Sequence, residues 1–129
     1  MDINIGAKGI ATSVVTENYT AAAVGSGSLN VYATPCMAAL MEQAACNAIA
    51  EFIPEDKTSV GIALSLTHSA ATPVGLTVTA EAEVTAADGK TVSFQISAFD
   101  EKGKIGEATH TRAVVTQQRF MEKVSAKLL

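Results

Sequence analysis

The sequence predicts an α+β fold in which one antiparallel β-sheet wraps around a long central helix. The helix is indicated by the run Cys36–Ala50, in which nearly every residue is a good helix former or is small and apolar. The sheet is indicated by later segments in which apolar and polar residues alternate and which short turns separate. With 129 residues the chain is long enough to bury a core, and we predict a single domain over residues 1–129.

Composition limits the classes of partner. The chain is 48% hydrophobic and 17% charged, with a net charge of −4. This balance argues against nucleic acid or a membrane as a partner, and the low charge favours self-association. Met1–Gly6 lacks the basic start and long apolar core of a signal peptide. Cys36 and Cys46 fit no metal spacing, so we expect no metal site and free thiols in a reducing cytoplasm.

The segment before the helix is predicted to be weakly extended. Over residues 3–24, apolar side chains such as Ile10 and Val15 are interleaved with Thr, Ser and Asn, which indicates one or two strands at a sheet edge. The stretch Gly25–Ser28 is a flexible loop that either covers a site or only connects the strand to the helix.

The helix boundaries are marked by familiar signals. Thr34 is predicted to be the N-cap, Pro35 fits the first turn, and Pro54 marks the far end. Small residues occur all round the helix, which predicts burial without a broad solvent face. Its length of about 16 residues is shorter than the roughly 20 that a membrane span needs.

Glu42 interrupts this apolar helix and is the only charged side chain between Glu17 and Glu51. A carboxylate in apolar surroundings must find hydrogen bonds or change its protonation. The residue is therefore a structural acid tied to a backbone group or an Arg, an acid that reaches the surface between small neighbours, or a functional one. The sequence alone leaves all three open.

The strands follow the helix in order. In residues 59–68, Val60, Ile62, Leu64 and Leu66 are predicted to share one buried face, with His68 next on it. Buried rows are also predicted for residues 76–84 and 92–98, around the hairpin signal Asp88–Gly89. A last strand is predicted from Ile105 to Thr116, and the tail 117–129 has the apolar spacing of a short surface helix.

Strands joined by tight turns are antiparallel neighbours, and a sheet of this size curled around one helix is the hot-dog fold. The free edges of such a sheet find partners most simply in a second copy, which predicts a homodimer or a higher oligomer.

Besides Glu42, four side chains are candidates for chemistry, each with a plainer alternative. His68 and Glu42 are both predicted to point toward the space between helix and sheet, although a lone His there is often only hydrogen-bonded. Arg112 either anchors an anion or lies on the surface, and Thr34 is either part of a site or only a cap. Cys36 at the helix start is better explained by packing. The sequence has no phosphate-binding glycine loop, zinc spacing or serine elbow.

Three blocks of sequence carry a resemblance to a known family. They are Thr34-x-Cys36-Met37-x-x-Leu40-Met41-Glu42, Thr67-His68-Ser69-Ala70-Ala71-Thr72-Pro73-x-Gly75 and His110-x-Arg112-Ala113-Val114. Together they resemble the fluoroacetyl-CoA thioesterase family of hot-dog proteins, from about Thr34 to Phe120. The second block is the most specific part.

The resemblance implies an acyl-CoA thioesterase that acts as a homodimer, with Thr34, Glu42 and His68 as catalytic residues. It places Gly61 and Arg112 in the same substrate-binding pocket. No cofactor is implied beyond the coenzyme A of the substrate. The chain departs from the family before Thr34, where the fluoroacetyl-specific enzyme carries Phe residues over the acyl group and this chain has small residues. We therefore expect small to medium acyl groups without strong fluoroacetyl selectivity.

Two questions stay open at this point. Thr34 and Glu42 are eight residues apart, which on a regular helix is about 12 Å of rise. Either the helix start is unwound, or the substrate spans the gap, or Thr34 meets Glu42 of the other subunit. The attacking group is either water or Glu42 itself. Other functions on the same fold are non-catalytic acyl-CoA sensing and hydration or dehydration of an acyl thioester.

Overall fold

One five-stranded antiparallel sheet curls around a 16-residue helix, in a computed structural model that describes residues 2–129. The strands are β1 (Lys8–Val14), β2 (Lys57–His68), β3 (Thr77–Ala87), β4 (Thr91–Asp100) and β5 (Gly103–Thr116). The helices are α1 (Ala21–Val24), α2 (Thr34–Ile49) and α3 (Gln117–Ser125), with 3₁₀ turns at Glu17–Tyr19, Ala50–Phe52 and Ala126–Leu128. The predicted α+β hot-dog arrangement is confirmed.

The strand order is β1-β3-β4-β5-β2, with every neighbouring pair antiparallel. Strands β3, β4 and β5 form a meander, as their short turns predicted. Strand β2 does not pair with β3, however, because the connection over residues 69–76 crosses the end of the sheet and brings β2 beside β5. The two edges of the sheet are therefore β1 and β2.

Helix α2 packs on the inward faces of the strands. The predicted buried rows on β3 and β4 are confirmed, and they consist of Val78, Ala80, Ala82, Val84, Val92, Phe94, Ile96 and Ala98. On α2 the buried residues include Met37, Met41 and Ala44. The helix is not enclosed all round, because Ala39, Gln43 and Asn47 form an exposed stripe at a spacing of four residues. The expectation that it has no solvent face is wrong for the single chain.

The N-terminal segment contains one strand rather than two. Residues 21–24 form a single helical turn because the Thr20 hydroxyl accepts a hydrogen bond from the amide of Ala23, and Gly25 ends the turn in the left-handed conformation at φ 81°. At the C-terminus the predicted surface helix is confirmed as α3, and its apolar residue Met121 is exposed. No helix within residues 2–129 is long and apolar enough to cross a membrane.

A β-bulge in β2 changes which side chains face the helix. Strand β2 pairs in register with β5 from His68 back to Ala63, but its register then shifts so that Gly61 pairs with Arg112. Leu64, Leu66 and His68 face inward as predicted. Beyond the bulge the inward position passes to Gly61, and Ile62 is 57% exposed. The prediction that Val60 and Ile62 share the inward face is wrong, because a bulge inserts one residue and inverts the alternation.

Candidate active site

Thr34 and His68 form the first of two polar clusters. The Thr34 Oγ1 atom lies 2.8 Å from His68 Nδ1, a hydrogen-bond distance. Burial lowers the pKa of His68, and a hydrogen bond with the backbone of Ala70 offsets part of that effect. A neutral imidazole beside a hydroxyl is an arrangement that can take up a proton from an alcohol or a water molecule.

The Thr34 hydroxyl is therefore used differently from the prediction. Helix α2 begins at Thr34 itself, its N-cap residue is Ala33, and no side chain caps the first turn. The hydroxyl bonds to His68 across the gap between the start of α2 and the end of β2. The prediction of a capping Thr34 is wrong, because Ala33 occupies the N-cap position and Thr34 is already the first residue of the helix.

Thr72 holds the loop that follows His68. Its side chain is fully buried, and its hydroxyl donates to Asp100 Oδ2 at 2.7 Å. This hydrogen bond is the main cause that lowers the pKa of Asp100. The Thr72 carbonyl also accepts from the Tyr32 amide at 2.8 Å, just before α2. Thr72 thus ties the loop after β2 to the segment that delivers Thr34.

Glu42 and Arg112 form the second cluster. Arg112 Nη1 donates to Glu42 Oε2 at 2.8 Å. The Arg112 side chain is 8% exposed and that of Glu42 is 41% exposed, so the pair sits at the boundary of the core with its carboxylate open to the outside. The guanidinium also donates to the hydroxyl and carbonyl oxygens of Ser59, at 2.9 and 3.1 Å. Arg112 is buried, and the anion that it binds in this chain is Glu42.

His110 supports this pair from inside the core. Its Nδ1 lies 2.7 Å from the Ala63 carbonyl oxygen, which can only accept, so the proton is on Nδ1. Nε2 is then free to accept from Arg112 Nη1 at 3.2 Å. The ring is 2% exposed and stacks on Phe94 at an interplanar angle of 28°. His110 links the bulged strand to the guanidinium that holds Glu42.

Gly61 makes room for the carboxylate. A Cβ atom on Gly61 would lie 2.3 Å from Glu42 Oε2, closer than any real contact. The β2 bulge is what turns this position toward α2. A regular strand would aim Ile62 there instead and fill the space that the Glu42 side chain occupies.

The two clusters lie apart within one chain. Helix α2 is continuous from Thr34 to Ile49, so Thr34 and Glu42 are separated by about 12 Å of helical rise. On β2, Gly61 lies seven residues before His68, about 20 Å away along the strand. The alternative of an unwound helix start is excluded, while a spanning substrate and a second subunit both remain.

A cavity of about 210 Å³ opens beside the first cluster. Thr34 and His68 line it together with small side chains from the loops on either side, namely Ala21, Ser26, Ala70 and Ala71. The Gly25–Ser28 loop thus contributes to the wall of a cavity through Ser26. Among residues 2–129 no group of three His, Cys, Asp or Glu side chains is placed to hold a metal ion.

The predicted site residues fall into these two clusters, Thr34 with His68 and Glu42 with Gly61 and Arg112. Sequence reasoning gave no role to His110 and Ser59. Each lies two residues before a predicted site residue on the same strand, so the period of two would have placed them on the same face. Cys36 is outside both clusters, and burial raises the pKa of its thiol.

Comparisons with known proteins by family, by sequence and by structure all find fluoroacetyl-CoA thioesterases. The model of the fluoroacetyl-CoA-specific thioesterase family matches residues 15–118. A fluoroacetyl-CoA thioesterase from Streptantibioticus cattleyicolor is 43% identical over 97 residues, which cover 75% of this chain and 70% of the relative. The solved structure of a fluoroacetyl-CoA thioesterase has a TM-score of 0.91 at 34% identity, over 98% of both chains. A variant of that enzyme solved with fluoroacetate and CoA has a TM-score of 0.85 at 35% identity, over 91% of this chain and 98% of the other.

We predict that Arg112→Lys lowers the melting temperature by at least about 4 °C, because a lysine cannot reach Ser59, His110 and Glu42 together and leaves buried acceptors unpaired. Thermal unfolding followed by circular dichroism measures this. Arg119→Lys makes the same change at an exposed position on α3 and should leave the melting temperature unchanged. Equal melting temperatures for the two variants would contradict the supporting role of Arg112.

Proposed function

The chain belongs to the fluoroacetyl-CoA-specific thioesterase family and is a thioester hydrolase, and we propose that it cleaves acyl-CoA thioesters with small to medium acyl groups to the acid and free CoA. The observation that carries the proposal is the Thr34–His68 pair at the wall of a 210 Å³ cavity, most of whose other lining residues are Ala or Ser. No large aromatic ring closes over this cavity from residues 21–28, so we expect no strong preference for the fluoroacetyl group.

Glu42 is proposed to start the reaction. Its carboxylate is partly exposed, and Arg112 engages only the Oε2 oxygen among the hydrogen bonds of residues 2–129. The Oε1 oxygen is then available either to activate a water molecule or to attack the thioester carbonyl directly. Gly61 and Arg112 position this carboxylate, which is how we interpret their place in the substrate pocket.

Thr34 and His68 are proposed to act on the other side of the carbonyl. The Thr34 hydroxyl lies at the start of α2, where the helix dipole is positive and an oxyanion is stabilised. Burial lowers the pKa of His68, which favours the neutral ring. In the water route, His68 can accept the proton that the attacking water loses and deliver it to the sulfur of the departing CoA.

We propose that these two half-sites are completed across a homodimer. Strand β2 is an edge of the sheet, with Ile62 exposed along it. Antiparallel pairing of two β2 strands about a two-fold axis near Leu64 and Ser65 would bring Gly61 close to His68 of the partner subunit. On α2, an axis passing Ala38 would bring Thr34 close to Glu42 of the partner subunit. We propose that the same axis passes both elements, with the small Ala38 at the point where the two α2 helices approach.

The cellular compartment is also a proposal. Cys36 and Cys46 are both free thiols in the structure, which is consistent with a reducing cytoplasm.

The proposed activity is tested by the release of free thiol from acyl-CoAs of two to eight carbons, with fluoroacetyl-CoA included. We expect turnover of the short members and similar kcat/KM values for acetyl-CoA and fluoroacetyl-CoA. Binding of several acyl-CoAs without cleavage would favour a sensor and overturn the assignment. A large preference for fluoroacetyl-CoA would contradict the substrate range.

We predict that Glu42→Gln lowers kcat/KM by at least about a hundredfold, the usual scale for loss of a general base. The melting temperature should change little, because the Glu42 carboxylate is partly exposed, the Gln oxygen still accepts from Arg112, and Ser59 and His110 keep the buried guanidinium paired. Glu51→Gln removes the same charge at an exposed position beyond α2 and should leave both quantities unchanged. A destabilised but active Glu42→Gln protein would end the catalytic assignment.

The shared site is tested with heterodimers purified through two different tags. When a Glu42→Gln chain pairs with a His68→Ala chain, one of the two composite sites is intact, so we expect about half of the wild-type activity per dimer although each homodimer is inactive. The control pairs a wild-type chain with a chain that carries both substitutions. That dimer should be inactive if the sites are shared and half-active if each site lies within one chain. A half-active control together with an inactive dimer of the two single variants would contradict the proposal.

A further inference from the structure

A second cavity, of about 330 Å³, lies on the far side of Tyr32 from the catalytic pair, between β1 and α2. Cys36 and Ala39 line it from the helix, Ser13 lines it from the end of β1, and Tyr19 lines it from the 3₁₀ turn. The proposed reaction uses none of these four side chains. The cavity begins within one helical turn of Thr34, because Cys36 is only two residues further along α2.

Within residues 2–129, Tyr32 is the one residue that lines both cavities. Its side chain belongs to the core and the residue is 3% exposed, which fits a ring packed between the two cavities. The ring also meets His68 edge to face, with ring centroids 6.3 Å apart. An acyl group bound beside Thr34 and His68 therefore lies against Tyr32.

The backbone at Tyr32 is held from both sides. Its amide donates to the Thr72 carbonyl at 2.8 Å, and Tyr32 forms a β-bridge with Thr20. Burial, followed by the nearby Cys36 and Tyr19, raises the pKa of Tyr32, so the phenol stays neutral. The wall is thus fixed and uncharged, and the side chains that line the second cavity carry no formal charge either. Such a cavity suits a neutral chain better than an acidic or basic one.

We propose that Tyr32 sets the upper limit of acyl-chain length, by closing the 210 Å³ cavity beside His68 against the 330 Å³ cavity behind it. The inference rests on the proposed thioesterase function and adds to it a residue that determines specificity. With the ring in place, the substrate range ends at acyl groups that fit the first cavity. Without it, a longer unbranched acyl chain can extend past Cys36 toward Ala39.

The test compares Tyr32→Val with Tyr32→Phe on saturated acyl-CoAs of two to eight carbons. Tyr32→Val should raise the ratio of kcat/KM for octanoyl-CoA to that for acetyl-CoA by at least about tenfold, since added methylenes gain a pocket. Tyr32→Phe keeps the ring and should leave the ratio unchanged. An unchanged ratio in folded Tyr32→Val, or an equal rise in Tyr32→Phe, would overturn the proposal.

Filling the second cavity gives an independent test that leaves Tyr32 in place. Ala39 lines this cavity and is exposed, so Ala39→Phe occupies the space with little effect on the core. In the wild-type background Ala39→Phe should leave the chain-length profile unchanged, and in the Tyr32→Val background it should abolish the gain on octanoyl-CoA. If Ala39→Phe alone lowers activity on the longest acyl-CoA that the wild type cleaves, the wild type already uses this cavity. That result would overturn the proposal. Failure of the wild type to cleave any acyl-CoA would instead refute the thioesterase function.

Discussion

The pairing of Glu42 with Arg112 is the interaction on which the arrangement of helix and sheet around the site depends. A carboxylate on a helix of small apolar residues needs a partner, and the partner comes from β5, on the opposite layer of the fold. Arg112 is itself held by Ser59 on β2 and by His110 on its own strand. One guanidinium therefore joins the helix and two strands. Because Arg112 engages only one of the two carboxylate oxygens, the pairing orients Glu42 and leaves its other oxygen open to a further partner.

The β2 bulge shows where sequence reasoning succeeds and where it stops. The buried rows of β3 and β4 could be predicted because regular strands alternate with a period of two. The same period predicted that Ile62 faces the helix, and the bulge makes Gly61 face it instead. A glycine inside an apolar strand is a signal for a bulge or for close approach of another group. Nothing in the spacing alone says at which residue the register shifts, since that depends on pairing with β5.

Which site residues lie together could be predicted only in part, because contacts between elements, like the bulge, depend on the three-dimensional packing. The resemblance named Thr34, Glu42 and His68 together, but helical rise separates the first two within one chain. The structure of the single chain groups Thr34 with His68 and groups Glu42 with Arg112. Which residues would meet in the proposed homodimer depends on the position of a symmetry axis, and residue spacing within one chain does not reveal that position. His110 was part of a recognised block, yet its role became apparent only from its contacts with Ala63 and Arg112.

The start of α2 illustrates what such a site requires of the fold. A Thr at this point would normally stabilise the helix by capping it, worth about 1 kcal/mol. Here the preceding residue is Ala33, a poor cap, and the Thr34 hydroxyl is turned to His68 instead. The helix therefore lacks a side-chain cap at this end, and burial of Met37, Met41 and Ala44 against the sheet holds it in place. A helix start that lacks its cap beside a hydroxyl–imidazole pair is the kind of local departure that is expected at a functional site.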